Sequence, residues 1–235
     1  IRPPDRKVGA RMARRGVGVT VSPALVLLAD GRFPAGGHAQ SGGVEAAVRV
    51  GDVVDEITLE RYLRARLATT GVTDAAFAAA AAAPRADHAA LDAELTARIV
   101  SPRLREVGRR TVRQLLRAGR RIWPAAALDH LDGVQQPIVL GAVVAAAGGT
   151  PHDAATIAMH HLASAVTTAG VRLLGLDPLA VAAVQARAGG LITSLVAPAD
   201  KWAVRPPATL PALGGALTDI LGEDHGHWSA RLFVA

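Results

Sequence analysis

The residues able to do chemistry are sparse. Eight histidines and no cysteine occur in 235 residues, so a thiolate zinc site, an iron–sulfur cluster and a Cys nucleophile are excluded. His160 and His161 are adjacent, and helical neighbours point about 100° apart, which does not favour chelation of one ion. His225-x-His227, beside Glu223 and Asp224, is the one ligand-like grouping. It suits weak nickel or copper binding, but reads first as a polar segment that docks on a partner. Carboxylate pairs such as Asp55-Glu56 are the sequence neighbours that helix ends supply. Gly36-Gly37 and Gly42-Gly43 precede a helix and have the makings of an anion nest, but no strand precedes them and no lysine follows. Neither Gly-x-x-x-x-Gly-Lys-Ser/Thr, nor Gly-x-Ser-x-Gly, nor His-Glu-x-x-His occurs. Nothing here predicts catalysis.

Cations are plentiful. Arg98, Arg103, Arg105, Arg109, Arg110, Arg113, Arg117, Arg120 and Arg121 crowd 24 residues, with Glu106 the sole acid among them. Arg109, Arg113, Arg117 and Arg121 are spaced by four and share one stripe of a helix. Such a stripe is a solvated face, or a surface for an acidic protein or a nucleic acid. The segment holds no aromatic residue for base stacking; Trp123 lies just outside it. The formal net charge of +6 is concentrated in residues 1–15, where Arg2, Arg6, Lys7, Arg11, Arg14 and Arg15 face only Asp5. Residues 1–20 read as a basic, disordered extension, and Met12 is an alternative start to Ile1. The remaining body is nearly neutral.

The elements that must position these groups are helical. Strand alternation is almost missing. Pro23 to Asp30 is a short apolar segment, residues 31–37 are a breaker-rich loop, and Ser41 to Val50 is a helix closed by Gly51. Thr58 is placed to cap a helix ending at Thr70, stopped by Gly71. Val72 to Ala83 is nearly all alanine, which lets helices approach closely and predicts core. Asp87 to Val100 is the next helix. Ser101-Pro102, Thr150-Pro151 and Asp177-Pro178 each pair an N-cap with a proline at the first helical position. Asp153 completes a capping box on a helix reaching Leu174. Gly189-Gly190 is a candidate break. A short helix to about Leu221 precedes a polar tail, Glu223 to Ala235. The expectation is an all-α, single-domain bundle of about nine helices over residues 21–235. No run of 18 uncharged apolar residues is present; Pro137 to Gly149 is too short to span a bilayer.

Four stretches carry a resemblance. Leu27-Leu28-Ala29-Asp30-Gly31-Arg32-Phe33-Pro34-Ala35-Gly36-Gly37-His38-Ala39-Gln40-Ser41-Gly42-Gly43-Val44-Glu45 resembles the leading motif of the urease accessory protein UreF family, particularly its actinobacterial branch. Gly31, Phe33 and Gln40 depart from the usual Ser, Leu and His. Leu91 through Arg105, continuing to Arg113-Gln114-Leu115-Leu116 and Trp123-Pro124, is similar, with Gly108 and Val112 as departures. So are Val171-Arg172-Leu173-Leu174 with Leu176-Asp177-Pro178, and the ending from His225 to Arg231-Leu232-Phe233-Val234-Ala235. In that ending Gly226 and Ala235 replace the usual Glu and Ser.

The resemblance implies a cytoplasmic, homodimeric, non-catalytic adaptor. It would act with UreD (also called UreH) and the GTPase UreG to load nickel into the urease apoprotein. It implies no tightly bound cofactor, nickel and GTP being handled by the partners, and neither nucleic acid nor membrane as partner. Glu45 would help couple GTP hydrolysis to nickel transfer, pointing outward from the first turns of its helix. The partner-binding residues implied or read as exposed anchors are Arg32, Phe33, Gly36, Gly37, His38, Ser41, Glu45, Arg172, His225, Arg231, Leu232 and Phe233. His225 and His227 stand as weak metal candidates. The rival classes are a nickel carrier using those two histidines and a nucleic-acid-binding helical protein using the basic extension and the arginine stripe.

Overall fold

A computed structural model gives the fold and describes residues 22–35, 41–226, 228 and 232–233. The expected basic extension, Gly36, Gly37, His38, His227 and Arg231 lie outside those residues. Among the described residues the chain is all-α, without a strand. In order the helices are α1 (Pro23–Ala29), α2 (Val44–Arg49), α3 (Glu56–Arg66), α4 (Val72–Ala81), α5 (His88–Arg98), α6 (Pro102–Ile122), α7 (Gln136–Ala146), α8 (Pro151–Leu174), α9 (Pro178–Val196), α10 (Ala199–Trp202) and α11 (Ala216–Gly226). Counting the joined run of α3 and α4 once gives ten, eight of them seven residues or longer.

Local chemistry sets most of the starts. The Ser101 hydroxyl accepts the Leu104 N–H at the head of α6, with Pro102 at the first position. Thr150 and Asp153 form the reciprocal capping box of α8. Asp177 accepts the Leu179 and Ala180 amides before Pro178. At α3 the cap is Asp55, and Thr58 is its partner, returning a hydroxyl to the Asp55 amide. Gly71 does not stop that helix. The chain passes through a π turn, Leu67–Gly71, directly into α4, with Gly71 in helical conformation. A Cβ at Gly71 would sit 3.0 Å from both the Arg66 carbonyl and Leu162, so glycine serves close approach there. Nor do Gly189 and Gly190 break α9. Both face open space, and Val181, Val184, Ala188 and Val196 bury the other side. That burial outweighs the glycine cost of about 1 kcal/mol each.

The alanine-rich α4 is the centre of the bundle. Val72, Thr73 and every residue from Ala75 to Ala81 are buried. It lies between α7 and α8 at such close range that a side chain on Gly141 of α7 would collide with the Ala78 carbonyl. All its faces are used within the chain, leaving none for a second copy. By length and composition α9 is the one helix among the described residues apolar enough to cross a membrane. Here it packs on α8, and its Arg187 binds Glu60 of α3. The last helix, α11, runs past Leu221 to Gly226, so His225 belongs to a helix and not to the expected polar tail.

Candidate partner-docking site

The segment Ser41-Gly42-Gly43 sets the entry to α2. Gly42 and Gly43 take positive φ of +62° and +85°, a region open to glycine at little cost. A Cβ on Gly42 would also come within 2.9 Å of Val166 on α8, and the Tyr62 hydroxyl donates to the Gly42 carbonyl at 3.0 Å. The buried Ser41 hydroxyl accepts the amides of Gly43 (3.2 Å) and Glu45 (3.4 Å). Together these contacts clamp the start of α2 against α3 and α8 and fix the direction in which Glu45 leaves it.

That direction is inward, against the expectation of an outward acid. The Glu45 side chain is only 11% exposed. Its Oε1 accepts the Leu232 amide at 2.6 Å, and its Oε2 accepts the Phe233 amide at 3.0 Å and His225 Nε2 at 2.8 Å. One carboxylate thus binds three donors that lie 180 to 188 residues further along the chain. Burial by itself would push the Glu45 carboxyl up. The Leu232 amide, the His225 ring and the Phe233 amide more than offset it, and hold it below the usual glutamate range.

The anchors at the chain's end are split by this contact. Leu232 is half exposed, whereas Phe233, expected as an exposed anchor, is buried to 4%. Its ring lies under the Arg172 guanidinium, 4.5 Å from the centroid, a cation–π contact that the buried side of the ring strengthens. Trp228 lies tilted against the His225 ring with centroids 4.7 Å apart, receives Arg49 over its face at 4.1 Å, and donates its indole N–H to Asp224 at 2.9 Å. One turn earlier Glu223 accepts the Ser101 hydroxyl and, at 2.9 Å, the Arg103 amide. A carboxylate is favoured at that helix start, so α11 is tied to the head of α6.

Phe33 is likewise not the exposed anchor expected of a glycine-rich loop. It is buried beside Leu28 and Leu140, with its ring 6.0 Å from Trp123. The loop folds back because Phe33 has a ready apolar seat between α1, α6 and α7. Arg32 does remain exposed, its guanidinium paired with Asp30 through two bonds of 3.1 and 2.8 Å. Of the residues singled out, the structure gathers Ser41, Glu45, Arg172, His225, Leu232 and Phe233 into one patch, and leaves Phe33 in a second core cluster with Arg32 exposed beside it. No group of three or more metal-ligating side chains occurs among the described residues, and His225 Nε2 faces Glu45. The arginine stripe divides. Arg109 binds Asp92 and Thr96, and Arg120 binds Asp132, while Arg110, Arg113, Arg117 and Arg121 face solvent.

Sequence reasoning missed the carboxylate bridge between α2 and the chain's end. No spacing rule pairs residues 180 apart; the only signal was that both ends carried polar residues beside an apolar anchor.

Comparison with known proteins bears on the whole chain. The UreF family model matches residues 53–189. A urease accessory protein UreF from Mycolicibacterium vanbaalenii is 38% identical over 215 residues, spanning 90% of this chain and 97% of that protein. One from Mycobacterium sp. strain JLS is 37% identical over 219 residues, spanning 92% and 100%. One from Mycobacterium tuberculosis is 32% identical over 212 residues, spanning 90% and 97%.

Proposed function

The chain belongs to the UreF family of urease accessory proteins, and from that premise we propose that it is an adaptor in nickel loading of urease. In this reading it joins UreD (UreH), recruits the GTPase UreG, and couples GTP hydrolysis to delivery of nickel to the urease apoprotein. Nickel is cargo and GTP the partner's substrate. The protein itself performs no chemistry and works as a cytoplasmic homodimer.

The observation that carries this reading is the Glu45 bridge. It joins the leading motif and the C-terminal segment into one patch, with Leu232 exposed on it and Arg172 and Arg49 over its aromatic rings. Aromatic residues and arginine are the types that dominate binding energy at protein interfaces. Glu45 influences a partner by fixing the C-terminal segment rather than by meeting the partner directly. For the second copy, α4 is unavailable. The outward side of α9, with Leu179 80% exposed and open glycines at Gly189 and Gly190, is a surface on which another helix would pack closely.

The test is co-purification of the chain with UreD and UreG homologues, followed by urease activation with nickel, bicarbonate and GTP. Wild type is expected to capture both and activate. Glu45→Ala is expected to lose activation by tenfold or more while remaining folded. Full activation by that variant, or failure of the wild type to capture UreD, would overturn the reading.

A further inference from the structure

The solvent face of α6 carries charge that the chain itself does not answer. The other side of this helix is firmly seated. Val107, Val112, Leu115, Leu116 and Gly119 are buried, and a Cβ on Gly119 would lie 2.6 Å from Val143 of α7, so the two helices meet closely there. Arg120 ties the end of α6 to the turn that follows, through the Leu128 and Asp129 carbonyls and the Asp132 carboxylate at 2.7 Å. The outward side is thereby held as a fixed platform. Along it stand Arg113, Arg117 and Arg121, all exposed. They are about 6 Å apart along the axis and turned about 40° from one to the next.

The acids nearby are already engaged. Glu106 takes Arg110 at 3.6 Å and Arg103 at 3.9 Å. Asp92 takes Arg109, and Asp132 takes Arg120. Among the described residues Arg113, Arg117 and Arg121 have no ion pair and no hydrogen bond from their side chains. Like charges four residues apart work against a helix, and the negative C-terminal end of the α6 dipole offsets only part of that. Three guanidiniums in a row on a nearly neutral body also raise a local positive field, which draws in an oppositely charged surface.

We propose that this face of α6 is a docking surface for an acidic helix of a protein partner, one that presents carboxylates at every fourth position to Arg113, Arg117 and Arg121. The pitch matches, because acids four residues apart on a helix also advance about 6 Å. Each guanidinium fork takes a carboxylate through two parallel hydrogen bonds. The stripe ends at Ile122, which is 46% exposed and gives the contact the apolar part that protein interfaces have. A nucleic acid fits this face less well. No residue of α6 is aromatic, so none stacks a base. Acids also border the stripe at both ends, Glu106 before it and Asp129 and Asp132 after it, where a phosphate chain would have to continue. The face shares no residue with the Glu45 patch and does not rest on the reading of that patch.

The test uses the full chain and two readouts. The first is fluorescence anisotropy of a labelled helical peptide with glutamate at every fourth position, beside the same peptide with glutamine there and a single-stranded DNA of equal charge. Wild type is expected to bind the glutamate peptide at least about tenfold more tightly than the glutamine one, and less tightly as salt rises. Replacing Arg113→Gln, Arg117→Gln and Arg121→Gln together is expected to remove about tenfold of that binding. Arg117→Gln alone is expected to remove about threefold, and decides the matter should the triple variant unfold. Arg61→Gln takes the same charge from an exposed position on α3 and is expected to change little. An equal loss in Arg61→Gln would make net charge the cause and overturn the proposal. So would no loss in the stripe variants, or a loss of DNA binding as steep as that of the peptide, which would make the face a nucleic-acid surface. The second readout is capture of the UreD and UreG homologues and the urease apoprotein, where the triple variant is expected to lose about tenfold of one of them. Undiminished capture of every partner that wild type captures would leave the stripe a solvated face and overturn the proposal. If wild type captures none, the adaptor reading fails while the peptide result still decides this one.

Discussion

At the scale of the residue, Glu45 shows how burial reverses what a side chain is worth. An exposed helix acid replaced by alanine changes stability by under about 0.5 kcal/mol. A carboxylate that satisfies two backbone amides and an imidazole contributes more, since each hydrogen bond to a charged group is worth about 1.5–3 kcal/mol. Its loss also leaves the donors of Leu232, Phe233 and His225 without their acceptor. The Glu45 carboxyl is held below its ordinary value near 4.5. Its contribution is therefore present above that value and lost as pH falls through the lower, folded one. Glu45→Gln should keep the shape, lose the charge, and release the C-terminal segment in part at neutral pH. Indole fluorescence from Trp228, which sits against His225 and Arg49, is the readout. The variant should show at pH 7 a spectrum that wild type reaches only at acid pH, once its carboxylate is protonated. An unchanged spectrum across that range would mean that Phe233 and Arg172 hold the segment without Glu45.

At the scale of the element, local chemistry was legible and long-range packing was not. The starts of α6, α8 and α9 follow from Ser, Thr or Asp before proline, because capping is decided within four residues. The depth of α4 was equally readable, since a run of alanines has no polar atom to expose. The π turn at Leu67–Gly71 was hidden because Gly71 could be a stop or a close contact, and only Leu162 and the Arg66 carbonyl decide. Phe33 and Phe233 were misplaced for one reason: a large apolar residue in a loop says that it needs cover, not whether its own chain supplies it. Ser41, Glu45 and Arg172 were chosen as site residues from motif position, and the bridge that unites them with His225 depends on tertiary contact alone. The α4–α7 contact gives a direct test of the packing. Gly141→Ala would drive a methyl into the Ala78 carbonyl and the Ala81 side chain, and overpacking of a tight core costs typically about 1–3 kcal/mol. A chain of this size should lose roughly 2–4 °C of melting temperature per kcal/mol. Scanning calorimetry showing no loss would mean that the two helices have room to separate.

At the scale of the whole molecule, the bundle is a rigid body with one removable edge. At the centre, α4 buries nearly every side chain it carries, packed against α7 and α8. The edge, α11 and the chain beyond it, is held by a few strong polar contacts, Glu223 at the head of α6 and the Glu45 bridge, and by one buried ring. Removing residues 227–235 tests whether this edge belongs to the fold or to the interface. The truncation deletes Phe233, whose burial is worth about 1.5–3 kcal/mol, and two amides on Glu45 at about 1.5–3 kcal/mol each. Against this stands the freedom returned to the backbone, about 1–2 kcal/mol for each residue no longer fixed. The two effects oppose each other, so the melting temperature should move little, by no more than about 5 °C. Capture of UreD, by contrast, should fall below detection, because Leu232 is gone and Glu45 is left with His225 alone. A melting temperature lowered by more than about 15 °C would place the segment in the core, and undiminished capture would move the interface elsewhere. The expected pair, a chain that still melts cooperatively near the wild-type temperature but no longer binds, is what a strap held in reserve for a partner requires.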